Sequence, residues 1–235
     1  MKLSVVIPVY NEEKTLNTIL ARVLAVKLNK EIIIVDDAST DGTGCVLADI
    51  SRLYADVKII RHEINQGKGA ALRTGFHEAT GDYVIVQDAD LEYDPQEYQR
   101  LIEALSPKFP VVYGSRFTHK QKRDLYKSGN MHLMHLIGNK FLTKLTNLLY
   151  GSNLTDMETC YKLIPRELLQ AIPIESDRFN FEPEITAKLL RKGIKIKEVP
   201  ISYTGRDVRE GKNISWRDGL PAILALIKFR IRREK

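Results

Sequence analysis

Short apolar runs alternate with longer segments of helical periodicity over the first half of the chain. The apolar runs, typical of strands buried on both faces of a parallel sheet, occupy residues 3–8, 31–35, 57–60, 83–87 and 110–113. Segments with apolar residues three or four positions apart follow the first four runs, at residues 16–24, 46–53, 70–79 and 95–105. Strands that alternate with helices predict βαβ units with right-handed crossovers, and therefore an α/β fold.

The second half of the chain breaks this alternation. The pattern predicts a basic loop at residues 119–130 and a long helix at 131–149, followed by short extended or irregular structure at 154–164. A helix at 183–192, a strand at 194–203, a charged loop at 204–213 and a basic amphipathic helix at 220–233 complete the pattern. We predict one domain, large enough for an enzyme, at residues 1–219. Residues 220–235 are predicted to form a helix that is part of this domain or is appended to it.

The chain carries a modest excess of positive charge, +6 over 235 residues. Such a charge favours an anionic partner such as a nucleotide, a nucleic acid or an acidic membrane surface, although it also simply aids solubility. Cys45 and Cys160 form no disulfide or metal motif. The first residues lack a signal-peptide cleavage site and no apolar run is long enough to span a bilayer. We therefore expect a cytoplasmic chain that can still touch a membrane.

Carboxylates follow the fourth predicted strand directly. The run Val84-Ile-Val-Gln-Asp88-Ala-Asp90-Leu-Glu92 places two aspartates one residue apart and a glutamate two positions further on. In open α/β sheets, ligands bind outside the carboxyl ends of the strands. Carboxylate oxygens there suit a hard divalent cation that is shared with substrate phosphates. The alternative is that such a pair caps a helix or lines a turn.

Polar clusters also follow the first two strands, Tyr10-Asn11-Glu12 after one and Asp36-Asp37 after the other. One crevice would gather all three strand ends, with the first two accepting hydrogen bonds from a base and ribose. Helix capping by Asn11, Ser39 and Asp41 is the alternative. In Gln66-Gly67-Lys68-Gly69, neither a dinucleotide fingerprint nor a Walker sequence is complete. Lys68, at a predicted helix start, would still neutralise a phosphate.

Four motifs occur together in an order and spacing that match a known family. They are Val6-Ile-Pro-Val-Tyr-Asn-Glu12, Asp36-Asp-Ala-Ser-Thr-Asp-Gly-Thr43, Asn65-Gln-Gly-Lys-Gly-Ala70 and Asp88-Ala-Asp90. The chain thereby resembles the family 2 glycosyltransferases. The resemblance implies the GT-A fold, a Rossmann-like, mixed but mainly parallel sheet flanked by helices.

Distal motifs narrow the resemblance to one group of that family. They are Thr155-Asp-Met-Glu-Thr-Cys-Tyr-Lys162, Phe179-Asn-Phe-Glu-Pro-Glu184, and the basic stretch from Tyr203 to Gly219. The chain looks most like dolichol-phosphate mannosyltransferases and bacterial polyprenyl-phosphate glycosyltransferases over residues 3–219. The resemblance implies hexose transfer, mannose or glucose, from a donor such as GDP-mannose or UDP-glucose to polyprenyl phosphate.

The resemblance also implies a role for each matching position. The residues expected to hold the nucleoside are Pro8, Tyr10, Glu12, Asp37 and Asp41. Asp88 and Asp90 would bind Mg²⁺ or Mn²⁺ on the diphosphate, and the carboxylate of Glu92, which stands where the mannosyltransferases commonly have glutamine, would also serve the metal. Arg116, Arg206 and Lys212 would clamp the donor diphosphate or the acceptor phosphate. The family also has a further basic residue in the loop that binds the acceptor, and Lys122, Arg123 or Lys127 would take that position here.

The acceptor decides the mechanism. A phosphomonoester already carries nucleophilic oxygens at neutral pH, so the enzyme mainly aligns two anions, and one displacement inverts the anomeric carbon. Asp156 lies where family 2 enzymes with hydroxyl acceptors place their base, so the resemblance implies that it orients the acceptor or, in the rival case of a hydroxyl acceptor, acts as general base. A remote rival is a non-enzymatic basic module, but strand-end acids would repel a nucleic acid backbone, so we expect no nucleic acid partner. Residues 131–149 and 220–233 would supply peripheral contact with an anionic membrane, unless the latter simply packs on the core.

Overall fold

The computed structural model describes residues 1–117, 133–205 and 219–232, and within the second range the side chains from Leu136 onward. The strands are β1 (Leu3–Val9), β2 (Lys30–Asp36), β3 (Val57–Arg61), β4 (Tyr83–Val86), β5 (Val111–Ser115), β6 (Lys162–Pro165) and β7 (Ile196–Pro200). The helices are α1 (Leu16–Ala25), α2 (Thr43–Leu53), α3 (Lys68–Glu78), α4 (Tyr98–Glu103), α5 (Leu133–Tyr150), α6 (Arg166–Ala171), α7 (Phe181–Arg191) and α8 (Gly219–Ile231). A 3₁₀ turn at Pro95–Glu97 precedes α4.

The seven strands form one sheet in the order β3-β2-β1-β4-β6-β5-β7. Parallel pairing joins β3, β2, β1 and β4, while β6 runs antiparallel to both of its neighbours and β7 pairs parallel with β5. The predicted mixed, mainly parallel sheet is therefore confirmed. Strands β1 and β2 are buried almost throughout because helices cover both faces, which explains their continuous apolar sequences.

The predicted segments differ from the structure chiefly between residues 154 and 171. Short extended or irregular structure was predicted for residues 154–164, and β6 begins at the end of that stretch, whereas the helix α6 that follows was not predicted. Strand β6 has only four residues and ends in a proline, so it carries too little pattern to be recognised alone. Its two neighbours in the sheet, β4 and β5, define it through long-range pairing.

A second apolar cluster lies beside the main core and is formed by α5, α7 and α8. Leu142, Ala187, Leu226 and Phe229 are among its buried members. The hydroxyl of Tyr150 donates to the carbonyl of Leu226 at 2.6 Å and ties α5 to α8. The C-terminal helix is thus packed on the domain. None of the helices in the described ranges is long and apolar enough to cross a bilayer.

Candidate functional site

The carboxyl ends of β2, β1 and β4 lie side by side at one edge of the sheet. The residues that follow these strands include Ala38, Asn11 and Leu91, whose φ angles are 60°, 56° and 63°. Such left-handed conformations are uncommon for non-glycine residues and concentrate at functional sites. The structure therefore brings the three predicted strand-end clusters together at one edge of the sheet. Each cluster contains or adjoins a residue with a left-handed backbone conformation.

The loops after β1 and β2 are joined to each other by side-chain hydrogen bonds. The Thr40 amide donates to Asn11 Oδ1 at 2.8 Å, and the Asn11 amide donates to Ser39 Oγ at 2.9 Å. Asp41 accepts from the Thr43 amide at 3.0 Å, as a capping residue does, although it stays exposed. Burial raises the pKa of Asp41, but hydrogen bonds from Thr43 and the Glu13 amide outweigh it and lower the pKa overall.

Three of the predicted nucleoside contacts, Pro8, Tyr10 and Glu12, lie at the end of β1 beside these loops. Tyr10 is 46% exposed and Pro8 and Glu12 are half-buried. The structure brings them to the same edge as Asp41, and their contact with a nucleoside stays a prediction.

Asp37 organises the glycine-containing loop before α3. Its Oδ1 and Oδ2 accept from the amides of Gln66 and Gly67 at 2.9 and 2.7 Å, and Oδ1 lies 2.7 Å from His62 Nδ1. The carboxylate is buried, so both of its oxygens are engaged in holding the loop. Its predicted nucleoside contact stays a prediction, but the structure gives Asp37 a supporting role as well.

Lys68 connects the glycine loop to the aspartates after β4. Its ammonium lies 2.9 and 3.0 Å from the two carboxylate oxygens of Asp88 and 3.1 Å from Glu182 Oε1. Burial lowers the pKa of Lys68, but Asp88 and Glu182 raise it well above its ordinary value. Lys68 is therefore a permanent cation beside Asp88. Sequence reasoning had placed Lys68 near a phosphate, but gave Glu182 no role.

Asp90 and Glu92 occupy different environments although they are two residues apart. Asp90 is half-buried, and its Oδ1 accepts from the Glu92 amide at 3.0 Å. Glu92 is buried and accepts from the Tyr203 hydroxyl at 2.7 Å, while its carbonyl accepts from the Thr204 amide. Glu92 thus binds the non-helical segment that follows β7. Arg206 and Lys212, like Lys122, Arg123 and Lys127, lie outside the described residues.

The aspartates after β4 offer the oxygen ligands that a divalent cation prefers, but they do not supply a complete coordination shell. Carboxylate oxygens are the ligands that Mg²⁺ and Mn²⁺ prefer. Within the described ranges, however, no group of three or more His, Cys, Asp or Glu side chains could hold a metal ion. A cation there would take the rest of its oxygen ligands from a substrate, as Mg²⁺ commonly does with phosphates.

Arg116 and Asp156 form a buried ion pair at the end of β5. Arg116 Nε and Nη2 lie 2.7 and 2.8 Å from Oδ2 and Oδ1 of Asp156, and the Arg116 amide adds a bond of 2.9 Å. The guanidinium also stacks 5.1 Å from the ring centroid of Tyr203. The Asp156 side chain is inaccessible to solvent. The structure therefore brings together two residues that sequence reasoning had assigned to separate roles, diphosphate clamp and base.

Glu158 and Glu182 are two further acidic residues at this edge. Both lie inside the distal motifs, so the sequence pointed to their neighbourhood but not to their contacts. Burial, followed by the charge of Glu182, raises the pKa of Glu158 to about 8. Burial also lowers the pKa of the nearby Lys162. The edge therefore combines the Lys68–Asp88–Glu182 cluster with a carboxyl group that is largely protonated at neutral pH.

Comparison with known proteins identifies relatives over most of the chain. The model of the family described as Glycosyl transferase family 2 matches residues 4–172. A dolichol-phosphate mannosyltransferase of Pyrococcus furiosus is 31% identical over 221 residues, covering 90% of this chain and 59% of the relative. An undecaprenyl-phosphate mannosyltransferase of Micrococcus luteus is 29% identical over 218 residues, covering 90% and 87%. The chain thus spans about three fifths of the first relative's length and most of the second's.

Solved structures match the fold at lower identity. Glucosyl-3-phosphoglycerate synthase from Mycobacterium tuberculosis, in complex with UDP, superposes with a TM-score of 0.72 at 19% identity, covering 99% of this chain and 81% of that one. The same enzyme in complex with Mn²⁺, UDP-glucose and phosphoglyceric acid gives a TM-score of 0.69. These likenesses confirm the predicted GT-A fold.

Proposed function

The chain belongs to glycosyltransferase family 2, and from that premise we propose that it transfers a hexose from a nucleotide-diphosphate sugar to polyprenyl phosphate. The observation that carries the proposal is the edge at which Asp88 and Asp90 follow β4, next to the exposed loop after β1. Its relatives from Pyrococcus furiosus and Micrococcus luteus are named for transfer to dolichyl and undecaprenyl phosphate. Their substrates supply the acceptor class that we propose here.

The donor would lie along this edge with its nucleoside at the ends of β1 and β2. Pro8, Tyr10 and Glu12 lie there, and Asp41 is exposed beside them. The donors that we propose are GDP-mannose and UDP-glucose, because carboxylates and main-chain groups at strand ends can bind either base.

Asp90 is the better candidate for direct contact with Mg²⁺ or Mn²⁺. Both oxygens of Asp88 are within 3.0 Å of the Lys68 ammonium, and a cation on the same oxygens would face that positive charge. Asp90 lies two residues further along, where its Oδ1 accepts from the Glu92 amide, and the Glu92 carboxylate accepts from the Tyr203 hydroxyl. A bound cation would neutralise charge on the leaving diphosphate. Lys68 and Asp88 would position the neighbouring part of the donor.

The geometry of Asp156 favours a phosphate acceptor over a hydroxyl acceptor. A general base must reach the proton that it removes, but both oxygens of Asp156 bind the Arg116 guanidinium in a buried position. A phosphomonoester needs no base. Arg206 and Lys212 would then bring the acceptor phosphate to the donor, and one direct displacement would invert the anomeric carbon.

Helices α5 and α8 offer a surface for peripheral contact with the membrane in which a polyprenyl phosphate resides. We call the exposed apolar side chains of these two helices the helical face. They are Ile137, Phe141 and Leu148 of α5, and Leu220, Leu224, Ile227 and Ile231 of α8. In each helix these positions lie on one side, at helical spacing, and they are 39–82% exposed. Exposed Lys144 and Arg230 would add attraction to anionic lipid.

A transfer assay tests the proposal. Wild-type protein would be given GDP-mannose or UDP-glucose, a polyprenyl phosphate in detergent, and Mg²⁺, Mn²⁺ or EDTA. We expect one donor to be used, activity to require the cation, and Asp90→Asn to lower kcat at least about 100-fold because a metal ligand is lost. Asp94→Asn, which alters an exposed aspartate that accepts from the Gln96 amide, is the matched control. Full activity of Asp90→Asn with the cation present would contradict the metal assignment, and no turnover of either donor would contradict the function.

A further inference from the structure

Glu158 lies against the carboxyl end of β4 although it belongs to the segment between α5 and β6. Two residues after it, Cys160 Sγ lies 3.5 Å from the carbonyl oxygen of Val86, the last residue of β4. Because β6 runs antiparallel to β4, the segment that enters β6 is held at the same edge as Asp88 and Asp90. Glu158 is therefore placed beside the donor edge by the sheet itself.

One oxygen of this carboxyl group has no partner. Glu158 Oε1 is inaccessible to solvent and makes no hydrogen bond with any of the described residues. The nearby ammonium of Lys162 does not satisfy it, because Lys162 Nζ donates to the carbonyl of Thr159 and packs 4.9 Å from the Tyr113 ring centroid. A buried polar atom without a partner is unfavourable, so it calls for a ligand or a functional reason.

The charges around Glu158 define the kind of group that can approach it. Asp156 and Glu182 add negative charge, and Arg116 and Lys162 add positive charge, but Arg116 is already paired with Asp156 and Glu182 with Lys68. Burial and Glu182 together raise the pKa of Glu158 to about 8, so at neutral pH its carboxyl group is mostly protonated. A protonated carboxyl both donates and accepts a hydrogen bond, as a hydroxyl does.

The order of the strands places Glu158 where the sugar of a donor would lie. Along the edge, β2 and β1 carry the proposed nucleoside contacts, β4 carries Asp88 and Asp90, and β6 comes next. Neighbouring strands are about 4.8 Å apart, so β6 lies roughly 10 Å from β1. Nucleoside, diphosphate and hexose follow one another in the same order in a nucleotide sugar.

On the basis of the proposed function, we infer that Glu158 binds a hydroxyl group of the transferred hexose through Oε1 and so contributes to the choice of sugar. The partner is a neutral hydroxyl group because a phosphate at this position would face the carboxylates of Asp156 and Glu182. Glu158 takes no part in bond making; it orients the ring and distinguishes hexoses that differ at the bound position.

A substrate-deletion cycle tests this inference. The 2-, 3-, 4- and 6-deoxy analogues of whichever donor wild type uses faster, GDP-mannose or UDP-glucose, are compared in wild type and in Glu158→Ala. We expect removal of one particular hydroxyl to lower the wild-type kcat/KM at least about tenfold, and to cost Glu158→Ala much less, because the partner is already gone. Glu158→Gln should keep the wild-type discrimination, since an amide also donates and accepts.

Controls separate recognition from damage to the fold. Inhibition by the free nucleoside diphosphate should stay within about twofold of wild type in every variant, because Glu158 is remote from the nucleoside end. Glu103→Ala, at an exposed glutamate of α4, should behave as wild type with every analogue. If Glu158→Ala does not fold, Glu158→Met fills the same space without a polar group and takes its place.

Three results would overturn the inference. Equal losses for all analogues in wild type and Glu158→Ala would show that no hydroxyl depends on Glu158. Loss of discrimination in Glu158→Gln as well would reject a neutral carboxyl as the binding group. Absence of wild-type turnover with both parent donors would overturn the proposed function and this inference with it, whereas turnover with unchanged discrimination would overturn the inference alone.

Discussion

The Arg116–Asp156 pair shows how strongly burial constrains the role of one residue. Two oxygens of a solvent-inaccessible carboxylate receive three hydrogen bonds from Arg116, and the guanidinium stacks on Tyr203. Removing one partner of a buried pair leaves an uncompensated charge and typically costs about 3–5 kcal/mol. Asp156 is thus expected to hold Arg116 in place, whatever else it does.

The variant Asp156→Asn separates this positioning role from general-base catalysis. We expect Asp156→Asn to lower the free energy of unfolding by about 3 kcal/mol, because Arg116 loses its counter-charge, and to reduce kcat with polyprenyl phosphate less than about tenfold at a temperature where the variant is folded. Thermal unfolding and the transfer assay measure the two effects. Loss of activity beyond about 1,000-fold with unchanged stability would identify Asp156 as a base and favour a hydroxyl acceptor.

At the level of single residues, the sequence pointed to most acids of the edge and to the cations Lys68 and Arg116, but not to the ion pairs that they form. Asp88 and Asp90 were predictable because a strand pattern ends directly in front of them. The bond of Lys68 with Glu182 joins residues 114 positions apart, and that of Arg116 with Asp156 joins residues 40 apart. No local pattern encodes such distances, so these partners emerge only when the sheet places them together.

At the scale of an element, the glycines at the start of helix α3 have a structural role in addition to their resemblance to a phosphate loop. Gly67-Lys68-Gly69 resembles a phosphate loop in sequence; in the structure Lys68 lies beside Asp88, and its contact with a phosphate stays a prediction. The glycines themselves admit another segment of the chain: a Cβ on Gly69 would lie 2.1 Å from the carbonyl oxygen of Ser176. The amide of Ala70 donates to the carbonyl of Asp177, so this contact is part of the fold.

A methyl group at Gly69 should therefore disturb both stability and the donor edge. Because the obstructing atom belongs to the main chain of Ser176, Gly69→Ala cannot be relieved by a rotamer change, and we expect a loss of about 1–3 kcal/mol in the free energy of unfolding. Displacement of Lys68 should also raise KM for the donor several-fold. Denaturant unfolding and donor titration measure the two effects.

Gly138 provides the matched control for this change. It lies in helix α5, and a Cβ there would meet no atom within 4 Å. Gly138→Ala should be neutral or stabilise the protein by up to about 1 kcal/mol, since alanine is the better helix former. If Gly69→Ala unfolded no more readily than Gly138→Ala, the close approach of residues 176–177 would not be what fixes this glycine.

The whole molecule has two candidate functional surfaces that the chain order does not reveal. The donor edge is built from the β1, β2 and β4 ends, and the helical face from α5 and α8. The sequence left two alternatives for the C-terminal helix, packing on the core or lying on a membrane. In the structure this helix packs on the core through Leu226 and Phe229. Its outer side keeps an exposed apolar stripe that is compatible with contact with a membrane. Because this helix is apolar on both sides, its sequence does not show which side is buried, and only tertiary packing decides it.

Vesicle binding tests whether this outer stripe contacts a bilayer. Burying one leucine side chain contributes about 1.5–3 kcal/mol, so a few residues of the helical face, assisted by Lys144 and Arg230, suffice for reversible binding to anionic lipid. We expect wild type to co-float with vesicles that contain anionic lipid and to float less well as salt is raised. Leu224→Glu should reduce the floated fraction at least about fivefold.

The control places the same change on a distant exposed leucine. Leu53, at the end of α2, is 74% exposed against 58% for Leu224, so Leu53→Glu introduces an equal charge at a position that is even more accessible and lies outside the helical face. It should leave flotation at the wild-type level. Equal loss in both variants would mean that added negative charge, not the apolar stripe, governs binding. Failure of active wild type to co-float at all would reject peripheral contact, because an apolar face that meets lipid must gain free energy from leaving water.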